Sequence, residues 1–293
     1  MAEVLLIGAG FLGRKLVEVF SKNGFKVEAT SKEGQSFSAL EITDKKAVEE
    51  FLKKSMPKIV ILTASLTNVD YCEENPDEAN EINVLGTKNV IDSCKSIGAK
   101  LVFYSTDFVF DGEKGNYSEK DKTNPLCVYA KTKLEGEKLI EKNLKKENFL
   151  ILRTSTLYGF GIDFGKKPFT EWVIESLEKG KKIDAVSDQI TRPTLIDDLA
   201  KATLTLVRKK KCGLYHAVGS EAVSRLDFAK KIAKVFELDE KLINEIKSSA
   251  LLQKAKRPKN SSLDISKLKT EGIEMHNVFD GLELMKKQFS KKS

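Results

Sequence analysis

The sequence predicts a Rossmann-like α/β fold, a doubly wound parallel sheet with a smaller C-terminal substrate-binding lobe. Three observations predict it. Apolar runs of strand length alternate with amphipathic runs of helix length across the first half of the chain. The first apolar run passes through a glycine turn directly into a helix. After Arg153 the alternation gives way to an irregular, glycine-rich stretch and a different succession of elements. Alternation of this kind builds βαβ units, whose parallel strands are covered on both faces and so are apolar throughout.

The elements follow in order. "EVLLIG" is a buried strand, "GAGFLG" a turn, and the helix after it ends at Gly24. "FKVEATS" is a second strand, and "TDKKAVEEFLKKS" a helix with Thr43 or Asp44 as its N-cap. "KIVILTAS" is a third strand, and "NPDEANEINVLGTKNVIDSCKSIG" one long helix with Pro76 in its first turn and Gly98 past its end. "KLVFYST" and "NFLILRT" are further strands, separated by the helix "LCVYAKTKLEGEKLIEKN". The stretch "STLYGFGIDFGKKPF" is an irregular loop of the sort that carries function. Beyond it come a helix in "TEWVIESLEKG", a short strand "KIDAV", a turn and helix in "DQITRPTLIDDLAKATLTLV" and a late strand "GLYHAVG". A helix in "SRLDFAKKIAKVFEL" with Ser224 as N-cap precedes short helices around "KRPKNSSLD". Residues 1–153 are expected to form the dinucleotide-binding domain, with later contributions from about 192–219, and residues 154–293 mainly the substrate lobe.

Composition excludes several functions. The formal charge is +7, but lysines are dispersed among glutamates, as in "EGEKLIEKNLKKEN", the pattern of a solvated helix face. With no concentrated basic stripe, no nucleic-acid partner is expected. No apolar run reaches the length of a membrane span, and "MAEVLLIGAG" has neither a basic leader nor a cleavage site, so no membrane association and a cytoplasmic location are expected. Cys72, Cys94, Cys127 and Cys212 form no C-x-x-C pair and are expected as separate free thiols. The only histidines are His216 and His276, and no carboxylate cage is visible, so no metal is expected. Asp197 and Asp198 suit the first turn of a helix, His216 a buried strand, and Trp172 packing within the lobe. Arg192 and Arg257, each followed by proline, suit either a substrate diphosphate or a structural carboxylate partner.

The glycine turn carries chemistry. Gly8, Gly10 and Gly13 stand in G-x-G-x-x-G spacing between a strand and a helix, the context a dinucleotide fingerprint requires. Glycines allow backbone to approach a pyrophosphate closely, and the helix N-terminus that includes Phe11 and Leu12 offers free N–H groups. The second strand ends near Thr30, Ser31 and Lys32, where a hydroxyl and a cation suit a 2′-phosphate, so NADP(H) is expected ahead of NAD(H). Further along, Tyr129 and Lys133 stand four apart on a helix and share one face. A phenol is a poor acid near neutrality, with an unperturbed pKa of about 10. A neighbouring ammonium favours the phenolate, which makes the phenol a usable proton donor. Thr106, at the end of the fourth strand, is placed to hydrogen-bond a substrate carbonyl.

Thr106, Tyr129 and Lys133, joined to the glycine turn, resemble the extended short-chain dehydrogenase/reductases. "STDFVFDG", "YSEKDKTNPLCVYAKTKLEGE", "LRTSTLYG", "RPTLIDDLA", "GLYHAVG" and "RPKNSSLD" narrow the resemblance to their dTDP-4-dehydrorhamnose reductase branch, over nearly the whole chain. The resemblance implies NADPH-dependent reduction of the 4-keto group of a nucleotide-activated 6-deoxysugar. It implies Tyr129 as proton donor, Lys133 at the nicotinamide ribose and Thr106 at the keto oxygen. It places Val69 and Asp107 near the sugar, Ala64, Ser65 and Leu66 against the cofactor, and Glu41 and Ile42 near the adenine. The chain departs from the branch in a glycine turn one residue shorter, in Leu62-Thr63-Ala64 for Asn-Ala-Ala, and in Thr156 where a tryptophan packs on the sugar. The sequence also resembles the regulatory β subunit of methionine adenosyltransferase, which implies NADP binding and a methionine adenosyltransferase catalytic subunit as partner. Sugar-nucleotide epimerases and dehydratases are a further resemblance, although Asp107 here has no glutamate after it. A homodimer is a possible assembly.

Overall fold

The computed structural model describes residues 2–34, 36–160 and 168–290. Residues 161–167 of the expected glycine-rich loop lie outside them. Among the described residues, seven parallel strands form the central sheet: β1 (Val4–Ile7), β2 (Val27–Ser31), β3 (Ser38–Ala39), β4 (Ile59–Leu62), β5 (Lys100–Thr106), β6 (Phe149–Thr154) and β7 (Gly213–His216). Their spatial order is β7-β6-β5-β4-β1-β2-β3. The order reverses between β1 and β4, and the crevice beyond the C-terminal strand ends at such a point is where ligands bind in this architecture.

The strands form where the chain offers short continuous apolar runs. All four residues of β1 and all six of β6 are buried. Two apolar layers cover the sheet. One contains Leu6, Leu16, Phe20 and Val102, the other Leu5, Val48, Leu52, Val90 and Phe103. The helices that close these layers are α1 (Phe11–Lys22), α2 (Lys45–Ser55), α3 (Thr87–Ile97), α4 (Val128–Asn143) and, from the later chain, α6 (Ile196–Arg208). Asp44 caps α2 by accepting from the Ala47 N–H at 3.0 Å. Gly98 ends α3 in the left-handed conformation, which costs glycine nothing.

A third apolar cluster gathers Tyr158, Val173, Ile183, Phe228, Ile232, Leu282 and Met285. It is built by α5 (Phe169–Glu178), α7 (Arg225–Phe236), α8 (Val278–Ser290) and a parallel pair of short strands, Ile183–Val186 and Ile243–Ile246. Ser224 caps α7 through the Asp227 N–H at 3.0 Å.

Three expectations need correction. The long helix expected from Pro76 to Gly98 is broken into Pro76–Asn80, a π-helical segment Glu81–Gly86, and α3. The expected short helices flank "KRPKNSSLD" at Ser248–Ala250 and Ser266–Lys269, but the stretch itself pairs through isolated bridges, Tyr117 with Leu263 and Ile190 with Asn260, and the long helix α8 follows. Trp172 packs on Phe169, with ring centroids 5.7 Å apart, yet remains 42% exposed. His216 is buried in β7 and held neutral by burial, its pKa lowered to about 3, but only Nδ1 finds a partner, the Asp264 carbonyl at 3.2 Å. Asp197 and Asp198 do occupy the first turn of α6; Asp197 pairs with Lys15 at 3.1 Å and Asp198 with His276 at 2.8 Å.

Candidate active site

A cleft of about 480 Å³ opens where the sheet order reverses. One end is formed by the turn from β1 into α1, with Gly8, Gly10, Phe11, Leu12 and Gly13 on its wall. Gly8 has φ +103°, and a Cβ there would stand 2.3 Å from the Ala64 backbone nitrogen. A Cβ on Gly13 would meet the Gly8 carbonyl at 2.3 Å, so glycine is required for α1 to dock this close to the turn. At Gly10, by contrast, a Cβ meets nothing within 4 Å. Gly10 is also the N-cap of α1 and provides no side chain for the first N–H groups of the helix. An open cradle beside an uncapped helix N-terminus fits the pyrophosphate of a dinucleotide.

The neighbouring wall follows β4. Thr63 bridges the two strand ends, its N–H donating to the Ile7 carbonyl at 2.9 Å and its hydroxyl to the Gly8 carbonyl at 2.6 Å. Asn83, buried on the π-helical segment, then fixes the next residues. Its Oδ1 accepts from the Ser65 hydroxyl and the Leu66 N–H, both at 2.8 Å, and its Nδ2 donates to the Leu66 carbonyl at 3.0 Å and to the Thr132 hydroxyl at 3.1 Å. Thr132 donates in turn to the Tyr129 carbonyl at 2.8 Å. One amide therefore ties the β4 loop to the first turn of α4.

The remaining wall holds Thr106 at the end of β5 and Tyr129 and Lys133 on α4. The start of α4 is anchored by the Val128 N–H, which donates to Glu73 at 2.9 Å. Burial pushes the Tyr129 phenol well above its ordinary value, and a hydrogen bond with Thr106 acts the other way. The phenol is thus protonated at neutral pH, the state a proton donor needs. Burial pulls Lys133 down to about 7, opposed by the charge of Glu137 one turn along. The Lys133 ammonium lies 4.1 Å from the centroid of the Phe103 ring. The expected lowering of the Tyr129 pKa is not found: burial dominates and raises it, and the opposing influence is the Thr106 hydrogen bond.

Asp107 sits behind Thr106, 3% exposed. Its Oδ2 accepts from Ser261 at 2.5 Å, Ser155 at 2.9 Å and Thr191 at 3.1 Å, and its Oδ1 from Thr106 at 3.2 Å. Burial raises its pKa and the four hydroxyls oppose that. Asp107 thereby fixes the Thr106 hydroxyl, with its own carboxylate already enclosed.

Val69 and Thr156 also line the cleft. Of the other predicted residues, Ala64 lies under Gly8, and Ile42 is buried against Gly86. Ser31 ends β2. Beyond it Lys32 pairs with Glu41 at 2.8 Å, which couples two expected cofactor residues into one ion pair. Arg192 donates to the Ser220 carbonyl at 2.9 Å and to Asn116 at 3.1 Å. Arg257 forms a forked pair with Asp70, at 3.0 and 2.8 Å. Asn83, the Ser155, Thr191 and Ser261 hydroxyls around Asp107, and Arg225, which lines the cleft, were not singled out in the sequence. Among the described residues no group of three or more His, Cys, Asp or Glu is arranged to hold a metal, and no helix is long and apolar enough to cross a membrane. The four cysteines are free.

A glycine cradle at the sheet reversal facing a Thr–Tyr–Lys wall defines an extended short-chain dehydrogenase/reductase. The family model for the RmlD substrate binding domain matches residues 1–290. The chain belongs to that family. It is 35% identical over 283 residues to the dTDP-4-dehydrorhamnose reductase of Aggregatibacter actinomycetemcomitans, covering 92% of each chain. It is 31% identical over 286 residues to methionine adenosyltransferase 2 subunit beta of Bos taurus, covering 94% of this chain and 84% of that one. The crystal structure of dTDP-4-dehydrorhamnose reductase from Bacillus anthracis in complex with NADP superposes with a TM-score of 0.90 at 29% identity, covering 98% of this chain and 100% of that one.

Proposed function

We propose that this protein reduces the 4-keto group of a nucleotide-activated 6-deoxysugar with NADPH, acting as a dTDP-4-dehydrorhamnose reductase. The observation that carries the proposal is the convergence of Thr106, Tyr129 and Lys133 in the cleft that also holds the glycine cradle. NADPH, when bound, supplies the hydride. The Thr106 hydroxyl turns its one proton from Asp107 to the keto oxygen and holds that oxygen against the Tyr129 phenol. As the carbonyl carbon gains its C–H bond, the phenol gives its proton to the oxygen and later recovers one from solvent. Lys133 is the residue that would hold the nicotinamide ribose, and in its charged form, which Glu137 favours, it steadies the transient phenolate. Residues 1–153 with about 192–219 serve the cofactor in this reading, and 154–293 mainly the sugar nucleotide. The reaction belongs in the cytoplasm, where NADPH and nucleotide sugars are available.

The test is NADPH oxidation followed by absorbance with enzymatically generated dTDP-4-dehydro-L-rhamnose. Turnover is expected, and no turnover despite tight NADPH binding overturns the assignment. Lys32, beside Glu41, is the cation available to a 2′-phosphate. Lys32→Ala should raise the KM for NADPH about tenfold, the loss of one charge-assisted contact, and leave that for NADH within about twofold. Equal changes for both cofactors would remove Lys32 from the specificity site.

The 31% identity to a methionine adenosyltransferase regulatory subunit supports a second reading, a cofactor-binding partner of that enzyme. Co-purification with a methionine adenosyltransferase catalytic chain, without turnover of keto sugar, would favour it.

A further inference from the structure

Arg225 is the first residue of α7, where a cation opposes the helix dipole. Its half-buried side chain lines the wall of the cleft that holds Thr106 and Thr156, and the guanidinium carbon lies 5.2 Å from the centroid of the Phe169 ring. No carboxylate among the described residues pairs with it. Asp107, whose negative charge reaches it, is already enclosed by four hydroxyls. Arg257 adds a charge of the same sign, so burial first and Arg257 second both push the Arg225 pKa down. A guanidinium on a cleft wall with no protein anion beside it is available to an anion of a ligand. The two arginines that the sequence offered for a diphosphate are committed elsewhere, Arg257 to Asp70 and Arg192 to Ser220 and Asn116. Of the three, Arg225 is the one that lines the cleft.

We propose that Arg225 is the anion-recognition residue of the substrate site and grips phosphate oxygens of a nucleoside diphosphate. The inference rests on the nucleotide-sugar reading above and names the residue that reads its charged part. A planar guanidinium presents two parallel N–H donors, which match two phosphate oxygens, and the surrounding apolar ring and low dielectric strengthen that contact. Thr156 beside it leaves more room than an aromatic side chain, so the diphosphate can approach this wall.

The experiment is titration calorimetry of the full chain with dTDP, UDP and thymidine, comparing wild type with Arg225→Gln and Arg225→Lys. The expected result is dissociation constants for the diphosphates about 10- to 100-fold higher in Arg225→Gln, with an intermediate loss in Arg225→Lys. Thymidine affinity and NADPH affinity should stay within about twofold. Wild-type binding of a diphosphate that Arg225→Gln leaves unchanged overturns the inference alone. Equal losses for thymidine and dTDP also overturn it, because the residue would then shape the pocket rather than read phosphate. Failure of wild type to bind either diphosphate overturns the nucleotide-sugar reading itself and this inference with it. Thermal unfolding of Arg225→Gln checks that the variant is folded, and removal of a partly buried charge without a carboxylate partner should leave Tm within a few degrees of wild type.

Discussion

Tyr129→Phe should lower kcat by roughly 100- to 10,000-fold, the range for loss of a positioned general acid, and leave the Kd for NADPH within about twofold. The substitution removes one oxygen and little else. The ring packs edge-on against Phe108, with centroids 6.4 Å apart, beside Cys127, Ala130 and Ala255, and phenylalanine keeps all of those contacts. The phenol interacts with Thr106, whose hydroxyl retains Asp107 as a partner in the variant. The fold and the glycine cradle are therefore untouched, and the loss should fall on the chemical step with little change in KM. Burial keeps the phenol protonated, so the wild-type rate should not fall at mildly alkaline pH through loss of this donor. Stopped-flow NADPH oxidation under single-turnover conditions measures the step directly. A variant retaining more than about a tenth of wild-type turnover would remove Tyr129 as the proton donor.

Much of this site is legible in the sequence because local rules place it. β1 and β4 are short, continuous apolar runs, and the positive φ at Gly8 with the close docking at Gly13 leaves glycine as the residue for the turn. Tyr129 and Lys133 share a face because a helix puts i and i+4 together, whatever the rest of the chain does. What the sequence hides depends on distant pairing. Asp107 and Ser261 are 154 residues apart, and no local pattern signals that four hydroxyls enclose one carboxylate. Asn83 lies in an ordinary amphipathic stretch, and only the π-helical segment turns it toward the β4 loop; such segments often mark functional sites. Arg192 and Arg257 were open between phosphate and structural roles, and the structure supplies each with an internal partner. Two features were readable and passed over. Val278, Leu282 and Met285 carry the spacing of the buried face of α8, and a lone arginine just after the Ser224 cap is the wrong charge for a helix start.

Glu137→Gln should destabilise the protein by about 3–5 kcal/mol, the usual effect of leaving one member of a buried ion pair without its partner. Arg153 and Glu137 are each about 95% buried and meet through two hydrogen bonds, Nε to Oε1 at 2.9 Å and Nη2 to Oε2 at 2.6 Å. The pair joins the end of β6 to the middle of α4, the helix that presents Tyr129 and Lys133. Among the described residues no other carboxylate pairs with Arg153, its Nη1 is without a partner, and its guanidinium lies 5.1 Å from the Phe110 ring centroid. At about 2 °C per kcal/mol for a domain of this size, Tm should fall by roughly 6–10 °C. The double variant Glu137→Gln with Arg153→Met removes the orphaned charge and should recover part of the loss. A catalytic effect should accompany the structural one. Glu137 raises the pKa of Lys133 against burial, so without it Lys133 titrates below about 7 and is charged only at lower pH. A base whose folded pKa falls loses its charged form earlier as pH rises. The alkaline limb of the kcat/KM profile should therefore move to lower pH in Glu137→Gln. An unchanged Tm would show that the pair does not hold β6 to α4, and an unmoved alkaline limb would show that Lys133 does not depend on Glu137 for its proton.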